Sequence, residues 1–374
     1  MRLVLLGDGQ SPHLLKWARA LAPQVELWAA SSRGFDAGFD ALVPAQRRLA
    51  LNTRPRFEGG NAALLLQLPR LTSWLKQVQP DWIHAHYLSS HGTLAWLATA
   101  WGGAPGRIVG SAWGSDILEA PQRSVLMRWL TRRVLRACTL CTSDSQHMAQ
   151  AIKALGAAEV MCFPFGLEAL PPLPEAGHKP GDQPGHQPGH KQDHLLFANR
   201  GLEPVYAPQR VLTLFDAVRK VWPDARLVIA NDGSLLPALR YQVQAAGLSP
   251  AVQFVGRLDA QAQAAWYAQA RWYVSQPRSD SVSVSVLEAM AQGCIPLLSD
   301  LPANHELVRS GDNGWVAQGQ ALPSPGELQA LLARGEAIAQ ANHAWVASNA
   351  MFAPHVTALL SRLQALDKAK GRAP

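Results

Sequence analysis

Short apolar runs alternate with longer stretches in which apolar positions recur every three or four residues. In the first half the short runs are Leu3–Leu6, Val25–Trp28, Trp82–His84, Ile108–Val109, Thr139–Thr142 and Val160–Cys162. In the second half they are Leu195–Ala198, Leu227–Ala230, Val252–Val255, Trp272–Ser275 and Ile295–Ser299. Such runs predict buried strands, and the segments between them, Ala62–Val78 and Arg123–Leu135 among them, predict helices. A β-α-β-α rhythm builds a parallel sheet covered by helices on both faces. The rhythm occurs twice, which predicts two doubly wound, Rossmann-like domains, at 1–168 and 195–345. Pro325–Leu366 carries helical spacing alone and predicts two closing helices with a break near Asn342. Residues 346–374 then form a helix and tail free to cross back to the N-terminal domain, with 368–374 frayed.

Between the halves lies PPLPEAGHKPGDQPGHQPGHKQDH, residues 171–194. This Pro/Gly repeat cannot bury a core, so 169–194 reads as a linker. Its His178, His186, His190 and His194 read as solvated rather than metal-binding.

Composition narrows the picture. With 48% hydrophobic residues, the 374-residue chain has enough apolar material for sizeable cores. No run of about 18 apolar residues predicts a membrane span, and the apolar start is too short for a signal peptide. A cytoplasmic protein is the expectation. Four cysteines are too few for a disulfide scaffold. Cys138 and Cys141 fall in a predicted strand, where residues three apart face opposite sides and cannot share a metal. Residues 1–168 hold 17 Lys+Arg against 11 Asp+Glu, while 169–374 hold 17 against 16. The basic half could face phosphate or anionic lipid. No nucleic-acid-binding signature accompanies it, so nucleic acid is set aside.

Several segments could carry chemistry. Gly7-Asp-Gly-Gln-Ser-Pro-His13 lies between the first strand and a helix, as a binding loop or as a plain tight turn. His84 and His86, two apart at a strand end, face one side, toward the crevice where open α/β sheets bind ligands. Gly110-Ser-Ala-Trp-Gly-Ser-Asp116 ends another strand, as a pocket or as a polar turn with Asp116 capping a helix. In Ser275–Pro296, Asp280 and Glu288 lie eight apart across a polar loop that runs into a helix. Ser285-Val-Leu-Glu288 also has capping-box spacing, in which Glu288 merely closes the helix start.

At this segment the sequence resembles retaining glycosyltransferases of the GT-B fold, glycosyltransferase family 4. Asp280-x7-Glu288 followed by Glu-Ala-Met-Ala-x-Gly stands where that family has Glu-x7-Glu. Further matches fall in order: the glycine loop, Trp-Gly-Ser-Asp116, Thr142-Ser-Asp-Ser145, Phe163-Pro-Phe-Gly-Leu-Glu168, Ala198-Asn-Arg200, Gly256-Arg-Leu258, Asn304-His-Glu-Leu-Val308 and Gly311-Asp-Asn-Gly314. The resemblance implies two domains facing across a cleft, a UDP- or GDP-sugar donor, a hydroxyl acceptor, and neither cofactor nor metal. Glu288 would accept from ribose hydroxyls. The amides of Ser281, Val282, Ser283, Val284 and Ser285 would face the diphosphate or sugar. Arg200 would pair with the diphosphate, Asp280 with donor-sugar hydroxyls, and Gly9 would approach from the first domain. His13, Trp113 and Asp116 would line the acceptor side.

Three positions depart from the family pattern. Val205 stands where a lysine is usual, so either Arg200 acts with another cation, such as Arg257 or Arg210, or the diphosphate is bound more weakly. Trp113 stands where a histidine is usual, with His84 or His86 as substitutes. Asp280 is one methylene shorter than glutamate. The residues also leave open a sugar-nucleotide epimerase and an idle binding or scaffold protein. Finally, Gln122–Arg136 reads as a basic amphipathic helix, either packed on its own sheet or lying on anionic lipid beside a lipid-linked acceptor, peripheral to the inner face of the cell membrane.

Overall fold

The computed structural model describes residues 1–53, 62–173 and 191–370. The chain divides into two compact units: residues 1–164 with 352–374, and residues 165–351.

Among the described residues the first unit holds seven strands: β1 (Arg2–Gly7), β2 (Glu26–Ser31), β3 (Arg48–Ala50), β4 (Trp82–His86), β5 (Arg107–Ser111), β6 (Cys138–Ser143) and β7 (Val160–Cys162). All pair in parallel, in the order β3-β2-β1-β4-β5-β6-β7. The strand order reverses beside β1, so the crevice outside the ends of β1 and β4 is the switch point. Every residue of β4 is buried, as expected for a strand covered on both faces.

The second unit holds β8 (Gln192–Ala198), β9 (Arg226–Ala230), β10 (Val252–Gly256), β11 (Ala270–Ser275), β12 (Ile295–Leu298) and β13 (Trp315–Val316), in the order β10-β9-β8-β11-β12-β13 and again parallel. Its switch point lies between β8 and β11. Each face of this sheet has its own apolar core.

Several expectations need correction. The short edge strands β3 and β13 escape the apolar-run pattern. The helix expected over 62–78 is two, Ala62–Leu65 and Leu68–Val78, the second restarting with Pro69 in its first turn. The basic helix breaks at Ser124, whose hydroxyl caps Val125–Ala137 by accepting from the Met127 amide at 3.1 Å. At the C-terminal end there are three helices: Pro325–Ala333, Gly335–Asn349 and Phe352–Lys370. Asn342 lies mid-helix, buried and bonded to Asn313, so nothing breaks there.

The unit boundary falls at Met351/Phe352. The last helix packs on the first unit, where Phe352 meets Trp17 edge-on at 4.9 Å and Arg362 makes two bonds to Glu159. In the second unit Gly166 passes so close to Ala350 that a Cβ would stand 1.7 Å from its carbonyl oxygen. Only glycine fits that crossing.

The linker reading falls largely on residues 174–190, outside the described residues. His194 belongs to β8 instead, stacked on Trp222 and 2.8 Å from Asp224. Cys138 and Cys141 also differ from expectation. Ile108 pairs with Cys138, but Val109 pairs with Leu140, so Thr139 is a bulge and both thiols face one way. A hydrogen bond between the protonated Cys141 thiol and Cys138, together with burial, pushes Cys141 well up. Among the described residues no group of three or more His, Cys, Asp and Glu is arranged to hold a metal.

Candidate functional site

In the second unit β8 and β11 are neighbours, so their C-terminal ends deliver Asn199-Arg200 and the loop 276–283 to the same edge of the sheet. Arg200 reaches across that edge. Its Nη2 donates to Asp280 Oδ2 at 2.5 Å, and its Nη1 donates to Ser283 Oγ at 2.6 Å and Ser285 Oγ at 3.2 Å. The guanidinium lies over the Tyr206 ring, 4.6 Å from its centre. Both charged side chains are one-fifth exposed. Burial raises the Asp280 carboxyl, against the pull of Arg200. Burial is the largest influence on the guanidinium and works against its charge, but Asp280 together with Tyr273, Tyr206 and Tyr267 outweighs it and leaves Arg200 more firmly protonated.

The helix Val284–Ala291 begins beside this cluster. Its N-cap is Ser283, which makes no side-chain cap, because its hydroxyl is engaged with Arg200 and Ser285. Glu288 is the fifth residue of the helix and the capping box does not form; that reading is overturned. Glu288 Oε2 instead accepts from Tyr267 Oη and from Gln263 Nε2, each at 3.1 Å. Ser281 and Ser283 are buried, and Val282 packs in the core. The Ser281 amide donates to Asp280 Oδ1 at 3.0 Å, which fixes the carboxylate's rotamer.

Arg200, Asp280, Ser281 to Ser285 and Glu288 thus come together. Arg257 does not join them among the described contacts, standing exposed just past β10. Arg278 was missed in the sequence. Its amide donates to the Val205 carbonyl at 2.8 Å, and its exposed side chain has no described ion pair. Tyr206, Gln263, Tyr267 and Asn199 were missed as well. Gln263 and Tyr267 are four apart on one helix and so share a face, but nothing in their spacing names Glu288 as the target.

In the first unit, Gly9, His13, His84, His86, Trp113 and Asp116 gather around the ends of β1, β4 and β5. The Gly9 amide donates to Ser31 Oγ at 2.8 Å, and a Cβ there would lie 2.7 Å from both the Gly34 carbonyl oxygen and the Phe35 ring. Close packing within the chain therefore already demands glycine. Asp116 is 2% exposed and accepts from the Trp113 amide at 2.9 Å and the Leu88 amide at 2.8 Å. It ties two loops together and does not cap the helix. Trp113 Nε1 donates to His86 Nδ1 at 3.2 Å, and its ring meets His13 at 4.6 Å and Tyr87 at 5.7 Å.

His84 is wholly buried, bonded through Nε2 to Ser111 at 2.7 Å with Trp17 edge-on. Burial pushes His84 down to about 3, His86 well below its ordinary value and His91 to about 4. All three are therefore neutral near pH 7. With no exposed surface, His84 cannot touch a substrate in this conformation, and His86, also buried, meets the half-buried Trp113 through Nδ1.

Residues 182–333 match the family described as Glycosyl transferases group 1, and residues 2–145 match that described as Glycosyl transferase 4-like. Among curated proteins, the alpha-monoglucosyldiacylglycerol synthase of Streptococcus pneumoniae is 28% identical over 125 residues, which span 33% of this chain and 28% of that protein. Among solved structures, HepE of Anabaena in complex with UDP superimposes with a TM-score of 0.71 at 15% identity, over 97% of this chain and 100% of that one. Sucrose-phosphate synthase from Thermosynechococcus elongatus superimposes at 0.77 with 14% identity, over 98% and 100%. The lipopolysaccharide outer core galactosyltransferase WaaB superimposes at 0.62 with 14% identity, over 97% and 100%.

Proposed function

Because the chain is a GT-B-fold glycosyltransferase related to the group 1 and 4-like families, we propose that it moves a hexose-type sugar from a UDP- or GDP-sugar to a hydroxyl acceptor with retention of anomeric configuration. The Arg200 cluster carries this reading. A guanidinium at the edge of a parallel sheet, beside a helix start that no side chain caps, is a site built for the phosphates of a nucleotide.

In the proposed reaction the bond between the sugar's anomeric carbon and the diphosphate oxygen breaks. The acceptor oxygen bonds to that carbon on the same face, and its proton passes to the departing phosphate. Charge grows on the leaving diphosphate, where Arg200 and the first-turn amides stabilise it. Arg278, anchored at Val205, is the second cation. Asp280 orients donor-sugar hydroxyls, and Glu288 accepts from the ribose. A same-face displacement, which needs charge stabilisation at the diphosphate and no enzymic nucleophile, is preferred to a covalent intermediate. Protein cations take the charge-neutralising role, without a metal.

On the acceptor side, Trp113, held by His86 and flanked by His13, is the group offered to an incoming molecule. The acceptor is proposed to be lipid-linked, in surface polysaccharide, lipopolysaccharide or glycolipid assembly, with the protein cytoplasmic and peripheral on an anionic membrane. The surface of the helix Val125–Ala137 supports this. Val125 is 87%, Leu126 69% and Trp129 47% exposed, with Arg128, Arg132 and Arg133 interleaved. Among the described residues no helix is long and apolar enough to cross a membrane.

Calorimetric titration with UDP, GDP, ADP and their common sugar conjugates tests the donor site, with Glu288→Ala as control. One nucleotide should bind, and the variant should lose about 1–3 kcal/mol, as for a hydrogen bond to a charged group. Equal binding by the variant, or no binding to the parent, would overturn the assignment.

A further inference from the structure

Two ends of the donor site, Arg200 and Glu288, are joined through the interior of the second unit by one run of hydrogen bonds. Arg200 Nη1 donates to Ser285 Oγ at 3.2 Å, and the carbonyl of the same Ser285 accepts from Tyr267 Oη at 3.2 Å. Tyr273 Oη donates to Asn199 Oδ1 at 2.7 Å, and Asn199 Nδ2 donates to Tyr267 Oη at 2.7 Å. Tyr267 Oη donates to Glu288 Oε2 at 3.1 Å, with the Ser285 carbonyl at 3.2 Å as its other acceptor.

Hydrogen-bond valence sets the direction of this run. An ionised carboxylate and a backbone carbonyl only accept, so Tyr267 directs its single proton to the Glu288 and Ser285 side. The phenol oxygen can then only accept from Asn199, through the amide nitrogen. That leaves the amide oxygen for Tyr273. Burial, the largest influence on both rings, keeps the two phenols protonated: it pushes Tyr267 well up and takes Tyr273 above the usual tyrosine range against the pull of Arg200. They remain donors at any working pH. Tyr267 is 1% and Tyr273 0% exposed, so neither can touch a bound nucleotide.

We infer that Tyr267 is a positioning residue for nucleotide recognition, holding Glu288 in the rotamer that receives the donor and linking it to the Asn199-Arg200 turn. The inference rests on the donor-site reading above and adds residues which that reading does not use. Gln263, one helical turn from Tyr267, is the second support of the same carboxylate oxygen.

The test is a double-mutant cycle on the full chain, titrated with UDP and GDP. Tyr267→Phe removes one oxygen and keeps the ring in its contacts with Phe197 and Tyr273. It should weaken nucleotide binding about fivefold to tenfold and raise KM for the sugar-nucleotide with little change in kcat. In a Glu288→Gln background, whose amide oxygen still accepts but carries no charge, the same substitution should cost markedly less than in the parent, because Tyr267 acts chiefly through that carboxylate. Gln263→Ala, on a partly exposed face, supplies the same cycle should Tyr267→Phe fold poorly. Unchanged affinity in Tyr267→Phe, or full additivity with Glu288→Gln, would overturn the inference while leaving the donor site standing. Unchanged affinity in Glu288→Gln itself would overturn the donor-site reading and the positioning role with it.

Discussion

Arg200 Nη2 and Asp280 Oδ2 stand 2.5 Å apart, one carried by the turn after β8 and the other by the loop after the neighbouring β11. The pair completes a fork in which a single guanidinium serves one carboxylate and two hydroxyls. Lysine preserves the charge but cannot reach three fixed acceptors at once. Arg200→Lys should therefore fold, keep Asp280 from being left uncompensated, and lose about 100-fold in turnover, the scale for removing one preorganised charge-stabilising donor. Initial rates with saturating donor check this. Near-parental turnover would mean that Arg200 only braces the loop.

The overall architecture was legible because parallel strands buried on both faces read as unbroken apolar runs, and these recur twice along the chain. Local features that depend on one residue were not. A bulge at Thr139 cannot be read from Cys-Thr-Leu-Cys, yet it reverses which way Cys141 points. The two-residue β13 exists because β12 offers it a partner, not because Trp315-Val316 is strongly strand-forming alone. Of the residues the structure brings together, Arg200, Asp280 and the serines of 281–285 were named by the family pattern. Tyr267 and Asn199 were not, since their role exists only where β8, β11 and two helices meet. Ser285-x-x-Glu288 misled for a plain reason: the spacing fits a capping box, but the helix starts two residues earlier than that motif needs.

Trp96 is the node of an aromatic cluster, 6.3 Å from Trp129 and 6.5 Å from Trp101, and Trp101 is 79% exposed. Sequence reasoning saw only the basic helix, but the apolar surface continues beyond it. Arg133 lies over the Trp129 ring. Exposed aromatic and aliphatic groups set among arginines suit the interface of an anionic bilayer, where each basic side chain near the surface contributes about 1 kcal/mol. The parent protein should sediment with vesicles containing phosphatidylglycerol and not with phosphatidylcholine vesicles. Reversing Arg128, Arg132 and Arg133 to glutamate should abolish that difference. Replacing Trp101 and Leu126 with serine should weaken binding at every salt concentration. No sedimentation of the parent with either vesicle would remove the membrane from the proposal.

His91 Nδ1 lies 2.8 Å from the His86 carbonyl, while its Nε2 is buried without a partner among the described residues. Burial holds this imidazole down to about 4, with the nearby Asp8 pulling upward. An unfolded histidine takes its proton at about 6.5. Between those values the unfolded chain binds the proton and the folded chain does not, so stability falls as pH falls. The contribution is fully present above about pH 6.5 and declines by roughly 1.4 kcal/mol per pH unit below it. His84 and His86 add the same sign, whereas Asp116 and Asp280, whose carboxyls burial raises, add the opposite one. Comparing the parent with a single variant isolates one imidazole from that sum. His91→Asn retains a donor toward the His86 carbonyl and removes the titrating ring. Urea unfolding at about pH 7, 6 and 5 should show the parent losing stability relative to His91→Asn by about 1 kcal/mol per unit below pH 6. Parallel stability curves for the two proteins would mean that the buried imidazole gains a proton in the folded state as easily as in the unfolded one.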